Sequence, residues 1–177
     1  MNMKKTFNHP IGVFDSGLGG LTVLKHLLEY MPNENFIYLG DLANLPYGNK
    51  SKKNIVDYSI KCAQFLRSKN VKSIIIACNT ASSCAHDIIK KPTDIPVFDV
   101  ISPCVDEVVK SKAKKIAILG TEKTIESNTY YEAIKKNRPD IRVYNKACPL
   151  FVPLVEEGFI EGKIPSLISN YYLKLFI

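Results

Sequence analysis

The chain has no tryptophan, and only three histidines and three methionines in 177 residues. The histidines, His9, His26 and His86, form no H-x-x-x-H or other ligand array, so no metal site is expected from them. The cysteines, Cys62, Cys78, Cys84, Cys104 and Cys148, are odd in number and show no C-x-x-C spacing. That excludes a disulfide framework and a zinc site, and it fits a reducing, cytoplasmic location. No apolar run reaches membrane-spanning length, and the basic start MNMKKTFNHP has no signal-peptide core behind it, so no membrane partner is expected. Positive charge is in excess, 24 Lys and Arg against 17 Asp and Glu, for a formal +7. The lysines are scattered, however, without a basic stripe interleaved with aromatics, so no nucleic-acid partner is expected. A field of this sign would help gather a small dianionic substrate.

Two further absences bear on cofactors. Gly17 and Gly19 begin a G-x-G-x-x-G pattern, but Thr22 stands where the third glycine belongs, and Asp15 would repel a pyrophosphate. No lysine completes a G-x-x-x-x-G-K-[ST] phosphate loop, and none lies at the chemistry-bearing strand ends to hold pyridoxal phosphate.

What is present is a rhythm of strand, polar turn and helix. Short apolar runs at 11–14, 36–39, 73–77, 96–101, 115–119 and 141–144 read as strands. Helical spacing follows at 21–30, 52–68, 82–90, 102–111, from about 122 to 136, at 152–157 and at 166–176. Ser51 is placed to cap the helix at 52–68, and Ser102-Pro103 to open the one that ends near 111. Such alternation predicts an α/β fold of right-handed βαβ units with parallel sheets. Pro92 and Pro96 suggest a boundary, giving a first lobe at 1–95 and a second at 96–177, with the site in the crevice between them.

The central stretch is residues 72–83, KSIIIACNTASS. A β-branched run reads as a strand buried on both faces. It ends at Cys78, and Asn79, Thr80, Ser82 and Ser83 follow as helix-capping residues. Helix N–H groups at such a strand end favour a thiolate and bind carboxylates. The plainer reading, a buried small hydrophobe, is the commoner fate of a free cysteine. Two other strand ends converge on the same edge: Asp15-Ser16, and Asp41 with the loop Pro46-Tyr47-Gly48. Asp15 could serve as a helix cap or as a proton acceptor for Cys78 or substrate.

The segments IGVFDSGLGGLTVL, YLGDLANLPYG, IIIACNTAS, ILGT and CPLFVPLVEEG, in this order, resemble the glutamate racemases of the aspartate/glutamate racemase family, from Ile11 to at least Gly158. The resemblance implies a cofactor-independent isomerase that interconverts L- and D-glutamate for peptidoglycan, hence for cell-wall biogenesis and cell shape. One thiol removes the α-proton and a second returns one on the opposite face. It implies that Cys78 is a catalytic thiol assisted by Asp15. It further implies that Ser16, Pro46, Tyr47, Gly48, Asn79, Thr80 and Thr121 bind substrate, with Asp41 and one of Glu156 or Glu157 (Glu157 preferred) as auxiliary acids. Members of the family are often homodimers.

The family's second thiol lies in a Gly-Cys-Thr-His motif that this chain lacks. The expectation is therefore an α/β fold with its C-terminal part truncated, both lobes incomplete, and little racemisation by the chain alone. Cys148, ending the sixth strand, is the nearest stand-in for the second thiol. Cys62, Cys84 and Cys104 read as helix-packing positions. Two alternatives stand beside racemisation: a single-thiol decarboxylase or isomerase of the same superfamily, and a non-catalytic remnant.

Overall fold

The computed structural model describes residues 8–176. Four strands, β1 (Ile11–Asp15), β2 (Phe36–Gly40), β3 (Ser73–Ile76) and β4 (Val97–Asp99), form a parallel sheet in the order β2-β1-β3-β4. From β1 the chain moves outward to β2, then crosses back to place β3 on the other side of β1. The carboxyl ends of β1 and β3 therefore flank a topological switch point, where open sheets leave a crevice. β1 is buried along its whole length. On one sheet face its Ile11 and Val13 meet Val23, Leu24 and Leu27 of helix α1 (Gly20–Tyr30). On the other, Phe14 joins Ile74 and Ile76 under α2 (Lys52–Ser68) and α3 (Asn79–Lys90).

A second, two-stranded parallel sheet pairs β5 (Lys115–Gly120) with β6 (Arg142–Ala147). Its core, Ile101, Val105, Ile118, Ile134 and Ile141, lies under α4 (Ile101–Lys110) and α6 (Thr129–Asn137). A short helix α5 (Glu122–Glu126) follows β5, and α7 (Phe151–Glu156) and α8 (Lys163–Leu173) follow β6. Tyr172 of α8 is buried edge-on against Phe151, while Ile164, Leu167, Tyr171 and Leu175 are exposed.

The α/β class and parallel pairing stand as expected, and the structure corrects four details. The strand expected at 96–101 belongs to the first sheet, with Ile74 opposite Val97, so the changeover follows Asp99 rather than residue 95. Asp99, not Ser102-Pro103, opens α4: its carboxylate accepts the N–H of Ile101 and of Ser102, each at 2.7 Å. The helix expected from 122 to 136 is broken at Asn128, which takes a left-handed φ of 55°. Cys104 is exposed on α4 rather than packed, whereas Cys62 and Cys84 are buried as expected. The Ser51 cap is present, accepting from the Asn54 N–H at 3.2 Å. Ile177, the last residue of the apolar C-terminal run, lies outside the described residues. Among the described residues, no helix is long and apolar enough to cross a membrane, and no three His, Cys, Asp or Glu side chains are grouped to hold a metal.

Candidate active site

The first strand end is built by Asp15. Its Oδ2 accepts the N–H of Gly17 at 3.1 Å and of Gly20 at 3.0 Å, which folds Gly17–Gly20 into the turn that starts α1. The second strand end is tied to the first, because Asp41 N–H donates to the Asp15 carbonyl at 2.9 Å. The Asp41 carboxylate accepts from the Tyr47 hydroxyl at 2.6 Å and from Asn44 at 2.9 Å. Asp41 therefore fixes the loop. Pro46, joined to Leu45 by a cis bond, precedes the 3-10 turn of Tyr47 and Gly48.

Cys78 follows β3 and caps α3 itself. Its sulfur accepts the Ala81 N–H at 3.4 Å and donates to Ser16 Oγ at 3.4 Å. The helix thus begins at Asn79, three residues before the expected start. Ser82 and Ser83 are occupied internally, donating to the carbonyls of Ile76 and Thr80. Thr80 reaches across to the second sheet: its hydroxyl meets Thr121 Oγ1 at 2.9 Å, and Thr121 meets Thr124 at 3.0 Å. Gly48 is the other crossing point, since a Cβ there would lie 2.8 Å from the Thr121 Cβ. Ser16, Cys78, Thr80, Gly48 and Thr121 are thus brought together as expected. Glu157 sits past the end of α7, and it is Glu156 that comes close, its Oε1 3.2 Å from where a Gly17 Cβ would be. Cys148 is buried, with its thiol on the carbonyl of Lys146. A cavity of about 550 Å³ lies between α3, α4 and α6, beside His86 and Asp99. It holds none of the expected site residues.

The electrostatics reverse one expectation. The helix N–H groups do not win at Cys78: burial first, and the nearby negative Asp15 second, push its thiol up to about 11. The resting group is a thiol. Three contributors were not singled out in the sequence. Tyr38 donates to the Gly17 carbonyl at 3.0 Å, and burial, Asp15 and Cys78 push its hydroxyl up to about 12. Thr124 completes the hydroxyl cluster, and Tyr130 donates to Asn79 Oδ1 at 2.6 Å. The repeat Thr121-x-x-Thr124, the spacing of a helix cap and its third residue, was the available signal for Thr124. Nothing local in the sequence points to Tyr38 or Tyr130.

These shifts predict alkaline sensitivity. Cys78 and Cys62 hold their protons in the fold to about 11, each chiefly through burial, against the ordinary 9.0 of a thiol. Tyr38 holds its proton to about 12 against 10.0. Above pH 9 the unfolded chain releases protons that the fold retains. The stabilisation is therefore intact below pH 9 and is lost as pH rises through 11 and 12. Calorimetry is expected to find a melting temperature that is flat from pH 7 to 8.5 and falls from about pH 9 upward.

A family model described as Asp/Glu/Hydantoin racemase matches residues 11–161. The glutamate racemase of Aquifex aeolicus is 54% identical over 167 residues, covering 94% of this chain and 65% of that protein. That of Sulfurihydrogenibium is 51% identical over 166 residues, covering 93% and 64%. The crystal structure of the Francisella tularensis glutamate racemase in complex with D-glutamate is similar with a TM-score of 0.91 and 46% identity, over 96% of this chain and 64% of that one. The chain thus spans about 65% of the length of the curated relatives it matches.

Proposed function

We propose, from the premise that this chain belongs to the Asp/Glu/Hydantoin racemase family, that it carries one half of a cofactor-independent, two-thiol site that inverts the α-carbon of glutamate. The observation that carries the reading is the Cys78 thiol at the β1–β3 switch point, on Ser16 Oγ and the N-terminus of α3. An amino acid entering beside it brings an ammonium that offsets the field of Asp15 and lets the thiolate form, the thiol proton leaving to solvent water. Cys78 then takes the Cα hydrogen as a proton, and the C–H electron pair is delocalised into the α-carboxylate. A thiol on the opposite face donates a proton to that carbon, and the inverted amino acid leaves. N–H donors at the start of α3 and the Thr80, Thr121 and Thr124 hydroxyls supply fixed dipoles for the carboxylates. Ser16, Tyr47, Gly48 and Asn79 complete the substrate wall in this reading, with Glu156 at the Gly17 turn. The wider role is D-glutamate supply for peptidoglycan in the cytoplasm, with glutamate as the small-molecule partner and a homodimer as the assembly.

Glutamate incubated with the chain in D2O and followed by proton NMR tests this. The expected result is slow α-deuteration of one enantiomer without inversion, reduced at least ~100-fold in Cys78→Ser. Exchange that persists in Cys78→Ser rejects Cys78 as the base. Cys78 is the only cysteine among the described residues hydrogen-bonded at the strand-end crevice, which keeps a single-thiol decarboxylase or isomerase as the second reading. Competition of D-glutamate with malonate and maleate separates the two.

A further inference from the structure

Asn79 opens α3 one residue after the Cys78 sulfur. Its Oδ1 accepts from the Tyr130 hydroxyl at 2.6 Å, a bond that runs from the second core to the first lobe. Tyr130 is itself held by packing: its ring lies against the cluster of Ile101, Val105 and Ile134. We propose that Tyr130 is a positioning residue: by occupying Oδ1 it sets the Asn79 amide so that Nδ2 faces the crevice as a donor to a carboxylate of the substrate. The inference rests on the reading that the crevice takes a dicarboxylic amino acid.

The physical argument concerns the two edges of an amide. A free asparagine presents an acceptor edge or a donor edge with nearly equal ease, and an anionic substrate is served only by the donor edge. Tyr130 is a suitable selector because its hydroxyl can donate to the oxygen of the amide. Burial, with the Cys104 thiol and Asp99 nearby, holds that proton on well above the ordinary tyrosine range, so the donor persists at any working pH. Nδ2 makes no hydrogen bond among the described residues, and Asn79 is exposed, so the donor edge is open to a ligand. An amide set in advance does not have to be ordered when substrate arrives. The same bond also ties the position of α6 to the first residue after the thiol.

The test is a double-mutant cycle on the whole chain, with D-glutamate titrated by calorimetry into the unsubstituted protein, Tyr130→Phe, Asn79→Ala and the double variant. Tyr130→Phe keeps the packed ring and is expected to weaken binding about tenfold while leaving the melting temperature within ~2 °C. The double variant is expected to bind no more weakly than Asn79→Ala alone, because the tyrosine acts through the amide. Losses that simply add would overturn the proposal. The side-chain amide signals of Asn79 in a 15N correlation spectrum, identified by their absence in Asn79→Ala, give a readout that needs no ligand. In Tyr130→Phe they are expected to shift and broaden, and signals that stay in place reject the role. If the unsubstituted chain binds no D-glutamate, the substrate reading falls, while the amide signals still decide what Tyr130 does.

Discussion

Gly20→Ala is expected to lower the melting temperature by about 6–12 °C, the shift that ~3 kcal/mol produces in a chain of this size. A Cβ at this position would lie 2.6 Å from the Asp15 Cβ, 3.0 Å from the Ala77 Cβ and 3.0 Å from the Tyr38 hydroxyl. The first two atoms are the roots of side chains on β1 and just after β3, in the centre of the sheet, and cannot rotate away. Helix α1 must lift instead, which stretches the Gly20 N–H bond to Asp15 and frees the carboxylate beside the thiol. Gly19→Ala is the control. Its nearest neighbour would be Asp15 Oδ2 at 3.8 Å, and its φ of −57° suits any residue, so stability is expected to hold or rise by ~0.5 kcal/mol. Thermal melts of the two variants side by side decide it. Equal, small effects would mean that α1 does not pack on the sheet at Gly20 as described.

The second large effect concerns the charge beside the sulfur. Alkylation by iodoacetamide, read residue by residue by mass spectrometry, should modify exposed Cys104 first. Cys78 should follow its thiolate, with a midpoint near the pH of about 11 set by burial and Asp15. Asp15→Asn keeps an oxygen that can accept both glycine N–H groups, because a single oxygen, Oδ2, accepts both of them in the parent. It removes only the negative charge. The midpoint for Cys78 is expected to fall by about 1 pH unit, a tenfold faster reaction at pH 8, without returning to 9.0, since burial is the larger cause and remains. An unmoved midpoint would show that the Asp15 field does not reach the sulfur. A raised midpoint would show that Asp15 accepts the thiol's proton, which is the role first expected from the sequence. The same variant separates two effects of one side chain: shaping a turn, and raising the thiol's affinity for its proton.

Much of the fold was legible because its signals are local. The buried run of β1, the Ser51 cap of α2 and the apolar run of β3 are written in adjacent residues, as are the strand ends that carry Asp15 and Cys78. Two of the errors fall where a distant partner decides. Pro96 looked like a boundary, yet β4 completes the first sheet because Val97 finds Ile74, which no neighbour in sequence announces. The helix expected near 122–136 breaks at Asn128, whose neighbour Thr129 donates instead to the Ser83 carbonyl across the lobes.

The order of residues alone determined the alternating α/β plan and the convergence of three strand ends, with Cys78 at one of them. Period and capping depend on a few covalent neighbours, so they survive without any three-dimensional knowledge. Only the tertiary structure decided that Cys78 rests as a thiol, that Asp41 braces a loop, that Glu156 rather than Glu157 nears the turn, and that Tyr130 holds Asn79. The state of Cys78 depends on desolvation, the Glu156 and Tyr130 contacts on side chains brought from tens of residues away, and the Asp41 brace on how the six-residue loop to Tyr47 folds back; all three arise only once the chain has packed.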